Sequence, residues 1–254
     1  MTSHLSFSNF NDQEFDAIIK FLCSIFRTTR LEIETLYREI IDDFDQDGWP
    51  PHYRGRDFFC SEDPEFHNIY DQSPSIAVDL PSLFELDDGV KSKSTIIILG
   101  QDSKSDQDSE KISIGTPYGL HHKGSREVLK RTKLYFDMIY VLLELGYRVY
   151  LTDIYKIWIC DPKRPYNGIK LPKVDQRRFV DILRPELLTV NPVAIITWGK
   201  EPASGVAQIG LDIQHLSFPH PSGAANGAWI NLMNQSPSYE NKLAYWKSVV
   251  SESL

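Results

Sequence analysis

Apolar residues recur along this chain at two different periods. Short continuous runs mark strands, and returns every three or four positions mark helices. The run Ile96, Ile97, Ile98, Leu99 predicts a strand over 95–99 that is covered on both faces. Gly100 is expected to end it. Further strands are predicted at 147–151, 193–197 and 213–217. Between them, 126–145 reads as a helix with Leu129, Thr132, Phe136, Ile139 and Leu143 as its buried stripe and Gly146 beyond its last turn. A helix over 174–188 contains Pro185, which should bend or interrupt it. Ser236 and Pro237 suit the cap and first position of a last helix, with Tyr239, Leu243, Trp246 and Val250 on its apolar face.

The first third reads differently. Residues 12–24 and 31–44 form two helices, the second with Ile33, Leu36, Tyr37, Ile40, Ile41 and Phe44 at helical spacing. Gly48, Pro50 and Pro51 stop it, and the chain to about residue 94 looks irregular, rich in Asp, Pro and Ser. The loop 101–111 is polar, and Lys104, Asp106, Asp108 and Glu110 are expected to face solvent. Strands alternating with helices imply an α/β protein with a parallel sheet between helical layers. The expectation is a three-layer α/β/α domain with a four-stranded parallel sheet over 94–254. An acidic helical and irregular extension over 1–93 precedes it.

Charge sharpens this division. The net charge is −8, yet residues 1–90 carry 19 acidic and 6 basic side chains, against 16 and 21 in residues 91–254. The second part is therefore mildly basic, and local patches govern phosphate binding. One basic cluster is Lys123, Arg126, Lys130 and Arg131; another is Lys163, Arg164, Lys170 and Lys173. The acidic run from Asp42 to Asp47 lacks the ligand pattern of a calcium loop and reads as a solvated helix end. Three cysteines at unpaired spacing argue against a disulfide framework and for a reducing, cytoplasmic setting. No long apolar run suggests a membrane span.

Chemistry concentrates at strand ends, where open α/β sheets bind ligands. Gly100-Gln101-Asp102 follows one strand and His220-Pro221-Ser222 follows another. A glycine fingerprint for a dinucleotide is absent after the first strand. Ser222 lies in no nucleophile elbow, and His121 and His122 have no ordered set of metal-binding partners. On the residues alone, Asp102 is either a site carboxylate or the cap of a turn, and His220 is either a site donor or a structural loop histidine.

With Gly115-Thr116-Pro117-Tyr118 and Thr152-Asp153-Ile154-Tyr155-Lys156 between them, these two motifs resemble those of the uracil-DNA glycosylase superfamily. The resemblance covers about residues 94–250. It implies hydrolysis of the bond between a damaged or deaminated base, uracil or a relative, and its sugar in DNA repair. In that reading Asp102 positions water and His220 supports the departing base. Tyr118 stacks on the flipped base, and Gly100 and Gln101 offer backbone contacts to it. Ser222 contacts phosphate, and Pro221 belongs to a loop that enters the minor groove. Asp153 stands where the family usually has an Asn that reads the base edge, and Ser103 and Lys104 replace its usual Pro and Tyr. For Asp153 two readings stay open: base contact, as a neutral or an ionised acid, or a cap for a neighbouring N–H. Three cysteines cannot build a four-thiolate iron–sulfur cluster, so no metal or cofactor is implied. The partner implied is DNA, bound by a monomer. The acidic first third is a candidate surface for a protein partner. The competing reading is a nucleic-acid or nucleotide-binding protein that keeps the fold without hydrolysis.

Overall fold

The computed structural model describes residues 4–90, 92–104 and 109–254. Asp106 and Asp108, expected to face solvent, lie outside the described residues; Lys104 and Glu110 are exposed. In chain order the elements are β1 (His4–Phe7), α1 (Asp12–Ile25), α2 (Arg30–Asp43), β2 (His52–Arg54), α3 (His67–Gln72), β3 (Ile76–Asp79), β4 (Ser82–Asp87), β5 (Thr95–Asp102) and β6 (Ile112–Gly115). Then come α4 (Lys123–Glu127), α5 (Lys130–Glu144), β7 (Arg148–Tyr155), β8 (Ile157–Asp161), β9 (Arg164–Gly168), α6 (Lys173–Thr189), β10 (Pro192–Trp198), α7 (Lys200–Ile209), β11 (Gln214–Phe218), α8 (Asn226–Met233) and α9 (Tyr239–Ser253).

These strands form two mixed sheets, which corrects the expectation of one four-stranded parallel sheet. The larger has six strands in the order β1-β4-β7-β5-β10-β11. Strands β7, β5, β10 and β11 run parallel, while β4 adds antiparallel to β7's outer side and β1 adds antiparallel to β4. The smaller has five strands in the order β2-β6-β3-β8-β9. Both sheets draw on the region expected to be irregular. There, Pro81 separates two brief apolar runs whose Ile76, Val78, Leu80, Leu83 and Phe84 are all buried. Each run is too short to show a period against its Pro- and Ser-rich surroundings, so composition hid the strands.

Local signals fared unevenly. Asn11 with Glu14, and Thr29 with Glu32, form reciprocal capping boxes that start α1 and α2. The helix expected over 126–145 is two helices, broken at Val128 and Leu129, which are exposed. The last helix is capped by Ser238, whose side chain accepts from the Asn241 N–H, rather than by Ser236. Gly100 does not end β5: the strand continues to Asp102, with Gly100 opposite Asp153 and Asp102 opposite Tyr155 on β7. Side chains alternate across β7. Tyr150 and Thr152 donate to Glu186 of α6, while Asp153 faces the side of Tyr118, which stacks on Tyr135 of α5. Helices α1, α6 and α7 pack together, as do α5 and α9. Among the described residues no helix is long and apolar enough to cross a membrane.

Candidate active site

The ends of β3, β5 and β11 open into a cleft of about 1370 Å³. Asp79, Asp102, Tyr118, Tyr135, His220 and Ser222 line it. Parallel strands deliver β5 and β11 to the same edge of the larger sheet, on either side of β10. The smaller sheet contributes β3, and Ser103 Oγ joins the two sheets by donating to the Ala77 carbonyl at 2.9 Å.

One wall of the cleft is acidic. Burial pushes the Asp102 carboxyl up to about 6, helped by the charge of Glu201. The Gln101 amide, which donates to Oδ2 at 3.1 Å, and Lys104 act against that rise. Asp79 is pushed up to about 7, first by burial and then by the charge of Asp102. Asp153, buried behind Gly100, is raised well above the ordinary carboxyl range by burial and by Asp79 and Asp102. Like charges in a low dielectric cannot all ionise together, so this nest holds protons at neutral pH. Asp153 Oδ2 and the Tyr118 hydroxyl are both buried without a hydrogen-bond partner among the described residues. Among the described residues no backbone N–H donates to Asp153 Oδ2.

The absence of a Cβ on Gly100 is what admits these groups. A Cβ there would stand 2.2 Å from Asp153 Oδ1 and 2.7 Å from the Tyr118 hydroxyl. Behind the nest, buried Lys156 donates to the Asp153 carbonyl at 3.0 Å and pairs with Glu186 at 2.7 Å. That pair fixes the end of β7 from inside.

The other wall is built on the loop after β11. The Ser222 N–H donates to His220 Nδ1 at 3.3 Å, with Ser222 Oγ 2.8 Å from the same nitrogen. A backbone N–H only donates, so Nδ1 is an acceptor and the neutral ring carries its proton on Nε2. Burial, then the charge of Lys242, hold His220 down at about 4, so the ring is neutral at pH 7. Lys242 reaches in from α9 and donates to the Pro221 carbonyl at 2.9 Å and to Asn226 Oδ1 at 2.8 Å. Trp229 Nε1 donates to the His220 carbonyl at 2.9 Å. The rings of Tyr135 and Tyr118 lie 5.6 and 5.8 Å from the imidazole. Tyr118 itself is held in the left-handed region at φ 61°, where a bulky residue is strained.

The structure thus brings Asp102, Tyr118, His220, Pro221 and Ser222 to one cleft, with Gly100 and Asp153 packed directly behind. Gln101 is exposed and acts through Asp102. Ser222 meets His220 through both its N–H and its hydroxyl and also hydrogen-bonds the Tyr135 side chain, so as placed it orients both rings. Among the expected DNA contacts, Arg126 is corrected. Its buried guanidinium donates to the carbonyls of Leu120, His121 and Phe44 and stacks over the Phe44 ring, so it ties α4 to α2 and cannot reach a phosphate. Lys123 pairs with Asp47 at 3.3 Å. Lys163, Arg164, Lys170 and Lys173 are exposed on and beyond the β8–β9 turn and do not line the cleft. Lys104, Lys130, Arg131 and Lys133 do.

Sequence reasoning missed Asp79, Lys242 and Tyr135. Asp79 lies in a stretch expected to be irregular, and Lys242 lies on a helix whose pattern marks only its apolar face. Tyr135 was one aromatic among many. Among the described residues no group of three His, Cys, Asp or Glu side chains is placed to hold a metal ion. No protein-family model matches the chain, and no curated protein matches it in sequence.

Proposed function

We propose that the chain is a DNA glycosylase of the uracil-DNA glycosylase superfamily that removes a damaged or deaminated base. The observation that carries this reading is the convergence of Asp102 and His220. They leave two different parallel strands, far apart in sequence, and line one cleft. Breaking a base–sugar bond develops positive charge on the sugar and negative charge on the base. Ionised Asp102 orients a water at the anomeric carbon, accepts its proton and offsets the sugar charge. His220 Nε2–H, fixed as a donor by Ser222, hydrogen-bonds an exocyclic oxygen of the departing base. A neutral imidazole suits this role because it donates without first needing to be protonated. The Tyr118 and Tyr135 pair supplies an aromatic face beside the flipped base. Basic side chains at the mouth, Lys104, Lys130, Arg131 and Lys133, favour DNA phosphates. The three cysteines are free, which suits a reducing compartment such as the cytoplasm.

The test is incubation of the purified protein with oligonucleotides carrying uracil, hypoxanthine, xanthine or an alkylated base, scoring abasic sites. Abasic sites from at least one of these support the reading. DNA binding with no abasic sites across the whole set supports the non-catalytic alternative.

A further inference from the structure

We infer that Asp79 is a second catalytic carboxyl of this cleft, a general acid that protonates a ring nitrogen of the departing base and so suits the site to deaminated purines. This rests on the glycosylase reading above and adds a residue and a substrate class to it.

The placement is built into the fold. Asp79 is the last residue of β3, which is flanked by β6 on one side and β8 on the other. Its backbone N–H donates to the Lys156 carbonyl at 3.1 Å, and the Ser103 tether to Ala77 fixes the end of β5 against the same strand. Two carboxyls from two different sheets therefore face one cleft. Asp79 Oδ1 lies on the Gly115 side, near the His121 ring, so Asp79 and Asp102 approach the cleft from separate strands. Asp79 is half-buried, and among the described residues no hydrogen bond or ion pair holds its carboxyl, which leaves it open to a ligand in the cleft.

A second observation concerns the groups packed behind this wall of the cleft. Asp153, 2% exposed, keeps Oδ2 without a partner, and the nearby Tyr118 hydroxyl is likewise unpartnered. Buried polar atoms are nearly always satisfied, so exceptions call for an explanation. Both atoms are sealed behind Gly100 rather than open to the cleft, so they add to the electrostatic strain on the carboxyls in front of them.

The groups facing Asp79 set its proton. Asp102 on β5 and Asp153 on β7 are the nearby acids; Tyr118 and His121 come from the segment after β6, and Lys156 lies just beyond β7. His121 is held neutral by burial, so it does not offset the carboxylates. Asp102 gives up its proton at about 6 and Asp79 at about 7. Near neutrality Asp79 is the more protonated and Asp102 the more ionised of the two, which suits acid–base catalysis of a hydrolysis.

The step balances. The Asp79 proton moves to a ring nitrogen of the purine, and the electron pair of the glycosidic bond goes to the base. Water adds to the anomeric carbon and gives its proton to Asp102. The products are the neutral base, a hydroxyl at the abasic sugar, Asp79 carboxylate and Asp102 acid; one proton passed from Asp102 to Asp79 restores the site. Pyrimidines whose anions are stable leave without this proton.

Native protein and Asp79→Asn are compared on oligonucleotides containing hypoxanthine and 5-fluorouracil, whose base leaves readily as an anion. The expected loss is about 10²–10⁴-fold on hypoxanthine, the range of a general acid, with less than about threefold on 5-fluorouracil by the same reasoning. The native rate on hypoxanthine should fall on both sides of pH 6–7, and the variant should lose the dependence at the alkaline side. Asp79→Glu, which keeps the acid, should recover part of the rate, and its melting curve reports folding independently. Native cleavage of 5-fluorouracil with none of hypoxanthine overturns the substrate class. Equal losses on both bases overturn the acid assignment. In either case the glycosylase reading stands, whereas absence of cleavage on every base removes both.

Discussion

The two walls of the cleft are stabilised in opposite ways. On the His220 side nearly every polar group is satisfied: the imidazole by Ser222, its carbonyl by Trp229, the Pro221 carbonyl by Lys242. On the carboxylate side, three acids crowd the strand ends, and two buried polar atoms have no partner. A wall of the first kind fixes a donor's position and tautomer. A wall of the second kind stores electrostatic strain that a substrate or a proton can relieve. The difference teaches where precision and where reactivity reside in this site. Removing a group from the first wall should damage geometry and stability together. Removing one from the second should damage chemistry while leaving the fold intact or firmer.

The largest expected effect is on the reactive wall. Asp102→Asn keeps the shape but cannot take a proton from water, and should slow single-turnover base release by about 10²–10⁴-fold. DNA affinity measured on the same protein should stay within about twofold, since no phosphate contact is lost. On the ordered wall, His220→Ala removes one donor to the departing base and should cost about 10²–10³-fold in that rate. Lys242→Met probes the support behind it. Two acceptors lose a charged donor, and denaturant melts should show a loss of about 1.5–3 kcal/mol. The released loop should also slow base release, by less than His220→Ala does. If Lys242→Met leaves both stability and rate unchanged, the ordered wall does not depend on it.

Acidity gives a smaller, signed effect on stability. Asp102, Asp79 and Asp153 hold their protons more tightly folded than unfolded, so their contribution is full below the ordinary carboxyl range and is lost as pH rises, through about 6 for Asp102, about 7 for Asp79 and later for Asp153. His220 runs the other way: held down at about 4, it contributes stability above the ordinary histidine range and loses it as pH falls toward 4. The two overlap in mildly acid solution and separate above about pH 6.5, the ordinary histidine value. From there to pH 8 the melting temperature should fall in the native protein and fall less in Asp79→Asn. A native curve that is flat over this interval would remove the strain from the carboxylate wall. The smallest effect belongs to the surface: neutralising Lys163 and Lys170 should change DNA affinity and its salt slope less than neutralising Lys130 and Arg131 at the cleft mouth.

Long elements with a clear period were legible from sequence. The apolar run before Gly100, the helix α2 with Ile33, Leu36, Tyr37 and Ile40 buried, and the strands before Trp198 and Phe218 all lie where the pattern put them. The parallel strands were therefore visible, but the sheets they belong to were not. Strands of four residues such as β3 and β6 are too short to show a period, and their burial comes from partners distant in sequence. The same limit hid Asp79, whose importance lies in meeting Asp102 across two sheets. Arg126 misled for the converse reason: a cation in a basic cluster looks exposed until the aromatic ring and carbonyls that bury it are in place. Gly100 looked like a strand breaker, and the real constraint on it is the Asp153 carboxyl on the neighbouring strand.

The central claim is that the two walls together break a base–sugar bond. Its most direct test is a single-turnover time course of abasic-site formation by the native protein and by Asp102→Asn, at equal DNA occupancy, on the oligonucleotide set with modified bases. The account predicts abasic sites from the native protein on at least one base and a rate at least about 10²-fold lower from the variant. Abasic sites formed equally fast by both proteins, or by neither while both bind the DNA, would contradict it.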